Sequence, residues 1–305
     1  MRRLLAVALG SMLVLSGCGG GDDAGSKALS DVKVTGAADK EPKVDLEKGL
    51  EVDSTSTKVI EEGDGEELKE GDVVKLSYVA YNGRTAKEVD NSWKADQRLV
   101  ATLKEGAILP GFVKGLTGQK VGSRVLVGIA PKDGFGQANT QLDLKKDDSM
   151  VFVFDVVAKL PTEATGAEQK VPSTVPTVEL DDQGHPKGFK ATKQTPKKVS
   201  KQAAYVAIKG DGPKVEKQQA ITINYTGQVY PQGAVFDESW SKGQPFTSTI
   251  GTGQLIPCWD QLIGQTVGSR VLLVCPADTA YGDQGQGDIK PGDTLLFAVD
   301  VLDAD

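Results

Sequence analysis

A nine-residue stretch occurs twice in this chain. Gly118-Gln119-Lys120-Val121-Gly122-Ser123-Arg124-Val125-Leu126 returns as Gly264-Gln265-Thr266-Val267-Gly268-Ser269-Arg270-Val271-Leu272. Shorter matches flank it in the same order. Ser77-Tyr78 answers Asn224-Tyr225, Asp90 answers Asp237, and Leu109-Pro110-Gly111-Phe112 answers Ile256-Pro257-Cys258-Trp259. Gly134-Phe135-Gly136 answers Ala280-Tyr281-Gly282, and Phe152-Val153-Phe154-Asp155 answers Phe297-Ala298-Val299-Asp300. The offset stays near 146 residues, a domain-sized period far longer than a solenoid repeat. Any fold proposed for this chain must be built once and used twice.

Each copy reads mostly as strands. Val73 to Ala80 and Ala220 to Gly227 are apolar and β-branched. Ser123 to Ile129, Ser269 to Cys275, Met150 to Val157 and Thr294 to Leu302 alternate or run apolar. Val206 to Ile208 suggests an extra first strand in the second copy. One short helix per copy is expected to begin at Pro110 and Pro257, because a first-turn N–H has no intrahelical acceptor to lose. Gly118 and Gly264 would end it. The expected class is α+β, with an antiparallel β-sheet wrapped around one short α-helix in each domain.

Composition excludes several functions. Among 305 residues there is one histidine, His185, and three cysteines, so no dense set of metal ligands is available. His185 reads as an exposed loop residue. The net charge of −7 comes without a basic stripe, which argues against a nucleic-acid partner. No metal and no cofactor are expected.

The first residues form a targeting segment. Arg2 and Arg3 precede an apolar run from Leu4 to Leu15, too short to span a bilayer but suited to a signal peptide. The sequence Leu15-Ser16-Gly17-Cys18 followed by Gly19-Gly20-Gly21-Asp22-Asp23 resembles a lipobox, with cleavage before Cys18 and diacylglycerol on its thiol. The polar residues that follow, to about 45, are expected to form a flexible tether. The chain then divides into a signal peptide (1–17), a lipid-anchored tether (18–45), a first domain (46–161), a linker (162–173) and a second domain (174–305).

The second copy resembles the FKBP-type peptidyl-prolyl cis-trans isomerases. The resemblance is carried by an ordered series: Asn224-Tyr225-Thr226-Gly227, Val235-Phe236-Asp237-Glu238-Ser239, Pro245-Phe246, Gly253-Gln254-Leu255-Ile256-Pro257-Cys258-Trp259, Val267-Gly268-Ser269-Arg270, Ala280-Tyr281-Gly282 and Thr294-Leu295-Leu296-Phe297. It covers about 95 residues of this copy and a similar length of the first. It implies two FKBP-like domains and isomerisation of X–Pro bonds in proline-containing polypeptides. It also implies a site made of Tyr225, Phe236, Asp237, Ile256, Trp259, Tyr281 and Phe297, with Phe246 and Leu255 contacting substrate. Trp259 would be the floor. Gln286 and Ile289 stand where the family usually offers a ring, and would contact substrate there.

These residue types suit the reaction. Rotation about a peptide C–N bond is opposed by about 18–20 kcal/mol, because planarity gives the bond double-bond character. X–Pro bonds exchange unaided over tens of seconds. The twisted state loses resonance charge separation, so an apolar aromatic site disfavours it less than the planar state. Holding a proline part-way twisted adds a positioning effect. The Ile256 N–H and the Tyr281 hydroxyl would orient the flanking carbonyls, and Asp237 would orient Tyr225 or the substrate.

The first copy departs from this pattern. It keeps Tyr78, Asp90 and Phe152, but has Val89, Leu99, Leu109, Phe112 and Phe135 at the other positions. It is expected to be weakly active or inactive. Cys258 and Cys275 are a candidate disulfide, since export places them where disulfides persist. The expected protein is a monomer, lipid-anchored on the extracytoplasmic face of the cell membrane. The alternative function is a non-catalytic extracytoplasmic chaperone or peptide-binding module using the same pocket.

Overall fold

The computed structural model describes residues 28–305. The expected signal peptide, Cys18 and the first part of the tether lie outside these residues.

Each copy builds an antiparallel sheet around its long central strands. In the first, Ser56–Glu61, Arg124–Ile129, Met150–Leu160, Val73–Asn82 and Glu88–Asn91 lie side by side, and Leu99–Thr102 also pairs with Val73–Asn82. In the second, the order is Val235–Glu238, Ala220–Val229, Leu295–Ala304, Arg270–Cys275, Ala203–Lys209 and Ala167–Glu168, with Phe246–Thr249 also on Ala220–Val229. The expected strand at Val206 to Ile208 is therefore present within Ala203–Lys209.

The short helix lies on one face of each sheet. In the first domain it is α-helical, Pro110–Leu116. Its close approach depends on glycine. A Cβ on Gly111 would stand 2.4 Å from Ile129 Cγ2, and one on Gly115 2.5 Å from Val127 Cγ1. The second domain has a 3₁₀ turn instead, Pro257–Leu262, a departure from the α-helix expected there. The second copy has one residue fewer between Pro257 and Gly264 than the first has between Pro110 and Gly118, so the same span is closed by a tighter turn. Cys258 stands at the position equivalent to Gly111 and bonds to Cys275, which holds the place of Ile129, at a Cα separation of 5.6 Å. A covalent link replaces the glycine contact.

The opposite faces of both sheets are covered as well, which corrects two expected boundaries. Residues 28–45 were expected to belong to the tether, yet Leu29 and Val32 are buried. Lys33–Thr35 pairs with Lys43–Asp45, and the segment packs on Val79, Leu126, Val151 and Val153. A buried ion pair pins it. Arg124 bonds Asp155 at 2.6 and 2.7 Å and donates onward to the carbonyls of Gly36 (3.0 Å) and Lys40 (2.7 Å). Asp155 accepts from the Asp39 N–H at 3.1 Å.

The second domain repeats the device. Arg270 pairs with Asp300, and Asp300 accepts from the Ala164 N–H at 2.9 Å. Ala167–Glu168 adds to the sheet beside Lys209 and Ile208. Part of the expected linker 162–173 thus belongs to the second domain. A hairpin of Thr177–Leu180 and Pro186–Lys190 then covers Leu272, Val274, Leu296 and Ala298. Gln228 fixes it by bonding both the N–H and the carbonyl of Phe189.

His185 is at this hairpin's turn. It is only partly exposed and stacks on Trp240 with ring centroids 4.2 Å apart, correcting the expectation of an exposed loop residue. The two domains touch through polar groups. Lys75 reaches Asp303 at 2.7 Å, Arg98 reaches Asp305 at 2.7 Å, and Gln244 accepts from Thr102 N–H and donates to the Ala107 carbonyl.

Candidate functional site

The second domain gathers its scarce aromatic residues between the 3₁₀ turn and the sheet. The Trp259 ring lies 5.4 Å from that of Tyr225, 5.3 Å from Phe297 and 6.0 Å from Phe246, each edge to face. Phe236 meets Phe297 edge to face at 5.7 Å. Such geometry is the one ring quadrupoles favour. Local structure sets it. Pro257 opens the turn that delivers Trp259, and the alternation of a strand places Tyr225 and Phe297 on the same face. Leu255 and Ile256 pack at the edge of this cluster.

Polar groups border the rings. The Tyr225 hydroxyl donates to the Asp237 carboxylate, whose other oxygen accepts from Lys242 Nζ at 2.5 Å. Burial would raise the Asp237 pKa. The hydrogen bonds from Lys242 and Tyr225, together with the lysine charge, outweigh it and hold the carboxyl below its ordinary value. Tyr225 moves the other way: burial, then the bond to Asp237, push its phenol up. At neutral pH the pair is a phenol donating to a carboxylate. Tyr281 packs against the same cluster, and its phenol is also raised, first by burial and then by the Asp237 charge.

Two donors stand free there. Among the described residues the Tyr281 hydroxyl makes no hydrogen bond, and the Ile256 N–H meets no acceptor, while the Ile256 carbonyl accepts from Trp259 N–H at 3.0 Å. Among the described residues the buried Trp259 Nε1 has no partner.

Tyr225, Phe236, Asp237, Phe246, Leu255, Ile256, Trp259, Tyr281 and Phe297 thus come together. The loop residues do not both join them. Gln286 and Ile289 bond each other through their backbones at 2.9 Å in an antiparallel bridge. Gln286 is exposed, whereas Ile289 is buried in the same core cluster as Tyr225, Trp259 and Phe297.

Sequence reasoning missed Gly227. A Cβ there would meet Phe236 Cε2 and Cζ at 2.8 Å and Phe297 Cε1 at 2.9 Å. Only a residue without a Cβ lets both rings lie against the strand. Ala80 at the matching position of the first copy was the available signal.

The first domain keeps the border and loses most of the wall. Tyr78 donates to Asp90 at 2.5 Å, so the phenol–carboxylate pair is common to both domains. Phe112 replaces the indole and packs on Phe152 and Phe154, 4.8 Å from each. Phe135 is 52% exposed and has no hydroxyl to donate.

Comparison with known proteins accords with this arrangement. The family model for FKBP-type peptidyl-prolyl cis-trans isomerases matches residues 64–157 and 212–302. The chain is 43% identical over 96 residues to an FK506-binding protein of Streptomyces anulatus, covering 30% of this chain and 77% of that one. It is 43% identical over 96 residues to the peptidyl-prolyl cis-trans isomerase Fkbp12 of Drosophila melanogaster, covering 30% and 88%. FK506-binding protein 1 of Debaryomyces hansenii is 47% identical over 96 residues, covering 30% and 85%. With two matched regions that together exceed half its length, this chain belongs to the FKBP-type peptidyl-prolyl cis-trans isomerases, and it carries the family's domain twice.

Proposed function

We propose that the chain isomerises X–Pro bonds of exported polypeptides at the outer face of the cell membrane, and that the second domain performs the reaction. The observation that carries this reading is the pairing of an aromatic wall around Trp259 with two unengaged donors, the Ile256 N–H and the Tyr281 hydroxyl. An apolar surface stabilises the twisted amide relative to the planar one, because twisting discharges the amide dipole that water would otherwise solvate. The donors then hold the carbonyls on either side of the proline. Asp237 stays ionised and keeps Tyr225 turned toward the border. No proton moves and no covalent bond forms. Rotation about the C–N bond is the whole reaction.

The lipid anchor rests on the sequence Leu15-Ser16-Gly17-Cys18 behind the apolar run from Leu4 to Leu15. Two or three acyl chains on Cys18 give stable attachment, at about 0.8 kcal/mol per buried CH₂. The Cys258–Cys275 disulfide accords with an oxidising compartment.

The test is proline-limited refolding of an exported protein with the full chain at substoichiometric amounts. Turnover that disappears with Trp259→Ala supports the catalyst. Slowed refolding that needs one chain per substrate would favour the binding-module reading. For the anchor, Cys18→Ser is expected to release the protein from membranes, and unchanged fractionation would contradict it.

A further inference from the structure

The two domains differ at wall positions and also one layer deeper, where register makes the comparison unambiguous. Gly227 stands opposite Asp237 as Ala80 stands opposite Asp90. Val299 stands opposite Tyr225 and Val271 as Phe154 stands opposite Tyr78 and Val125. None of Ala80, Phe154 and Val299 is appreciably exposed. We propose that these second-layer pairs decide whether a domain can hold the isomerase wall: Gly227 and Val299 position Phe236 and Trp259, while Ala80 and Phe154 bar their counterparts from the first domain.

A methyl on Gly227 would lie 2.8 Å from two carbons of Phe236 and 2.9 Å from one of Phe297, closer than real Cβ atoms approach, and the strand is backbone-paired on both sides. The ring tips would have to shift, which displaces Phe236 from its place in the wall. The first domain has that methyl in Ala80, and the smaller Val89 in place of the ring.

The floor shows a second exchange of volume. In the second domain the large indole of Trp259 and the small Val299 belong to one buried core cluster. In the first, Phe112 lies over Phe154, 4.8 Å away, and Phe154 stacks on Phe152 at 5.3 Å with planes 5° apart. The added ring of Phe154 fills the space that an indole at 112 would need. Close-packed interiors do not accept both. Each domain is thus consistent within itself, and neither wall can be transplanted without its layer beneath.

This inference rests on the isomerase reading for its activity arm and on packing alone for its stability arm. In the full chain, Gly227→Ala and Val299→Phe are each expected to lower kcat/KM at least tenfold. Pairing Val299→Phe with Trp259→Phe, or Gly227→Ala with Phe236→Val, is expected to recover the lost Tm without recovering turnover. In a full chain silenced by Asp237→Leu and Trp259→Ala, Val89→Phe with Leu99→Phe, Phe112→Trp and Phe135→Tyr should stay at background. Adding Ala80→Gly and Phe154→Val should raise the rate at least tenfold. A four-residue variant as active as the six-residue one would overturn the proposal, as would turnover within twofold of wild type in both Gly227→Ala and Val299→Phe. Tm losses that merely add in the paired variants would also overturn it. Coupled Tm values with no activity in any variant would leave the packing intact and refute the isomerase reading instead.

Discussion

The Tyr225 hydroxyl and the Asp237 carboxylate are joined by a hydrogen bond at the border of the aromatic wall, and Lys242 holds the second carboxylate oxygen. The same phenol–carboxylate pair recurs in the first domain as Tyr78 and Asp90. The pair therefore does not by itself separate the domains. What separates them is the ring set around it and the free hydroxyl of Tyr281.

Asp237→Leu and Tyr281→Phe are each expected to slow isomerisation about 10-fold, equivalent to about 1.4 kcal/mol. No full charge develops as the amide twists, so larger losses are not expected. Lys242→Ala should change the rate by about twofold or less, since Lys242 is a solvent-exposed ion-pair partner. Peptide kinetics on the three variants, with circular dichroism as the folding control, checks the ranking.

The disulfide is expected to support the floor. Cys258 precedes Trp259, and its bond to Cys275 closes a loop with a sequence separation of 17. A loop of that size is worth about 3 kcal/mol in the chain-entropy account. Cys258→Ser with Cys275→Ser should lower the Tm of the second domain and reduce turnover, while the first domain's transition stays in place. An unchanged calorimetric trace would refute this.

Asp155 is expected to govern the segment that covers the first sheet. Asp155→Ala leaves Arg124 buried without its partner, a change that typically costs about 3–5 kcal/mol. It also removes the acceptor of the Asp39 N–H. Limited proteolysis should then cut within residues 33–45 faster than in the wild type, with a fall in Tm. Retained protection would show that the hydrophobic contacts of Leu29 and Val32 suffice.

Acid should weaken the first domain through Asp148. Hydrogen bonds from Arg84 are the main cause that holds its carboxyl at about 2, aided by the Lys145 N–H and Asn82 against the effect of burial. The folded value lies below the unfolded one. The stabilisation is therefore complete above the ordinary carboxylate range and is lost as pH falls toward the folded value. It amounts to on the order of 1–2 kcal/mol once the partial exposure of Arg84 is allowed for. The Tm difference between wild type and Asp148→Asn should shrink between pH 5 and pH 2. A constant difference would remove Asp148 from the account.

Much of this molecule was legible because repetition tied distant residues together. The strand at Val73–Asn82 and its counterpart at Ala220–Val229 announce themselves by β-branched runs, and Pro110 and Pro257 announce the turns. The site followed from order along the chain, as Trp259, Tyr225 and Phe297 show. The covering segments were hidden for a physical reason. Leu29, Val32 and Val34 sit in a short, mostly polar stretch, and the single alternation of Val32 and Val34 is too brief to betray a buried face. The groups they meet, Val79, Leu126, Val151 and Val153, and the Arg124–Asp155 pair that bonds Gly36, Asp39 and Lys40, all lie far along the chain. Gly227 and Val299 carry no chemistry of their own and become visible only against the rings they make room for.

Isomerisation of a short X–Pro peptide by the full chain, with each site disabled in turn, addresses the central claim most directly. Asp237→Leu with Trp259→Ala disables the second site, and Asp90→Leu with Phe112→Ala disables the first. We expect the first pair of changes to remove nearly all catalysis and the second pair to leave the rate within about twofold of wild type. Catalysis that survives loss of the second site, or falls chiefly on loss of the first, would contradict the assignment.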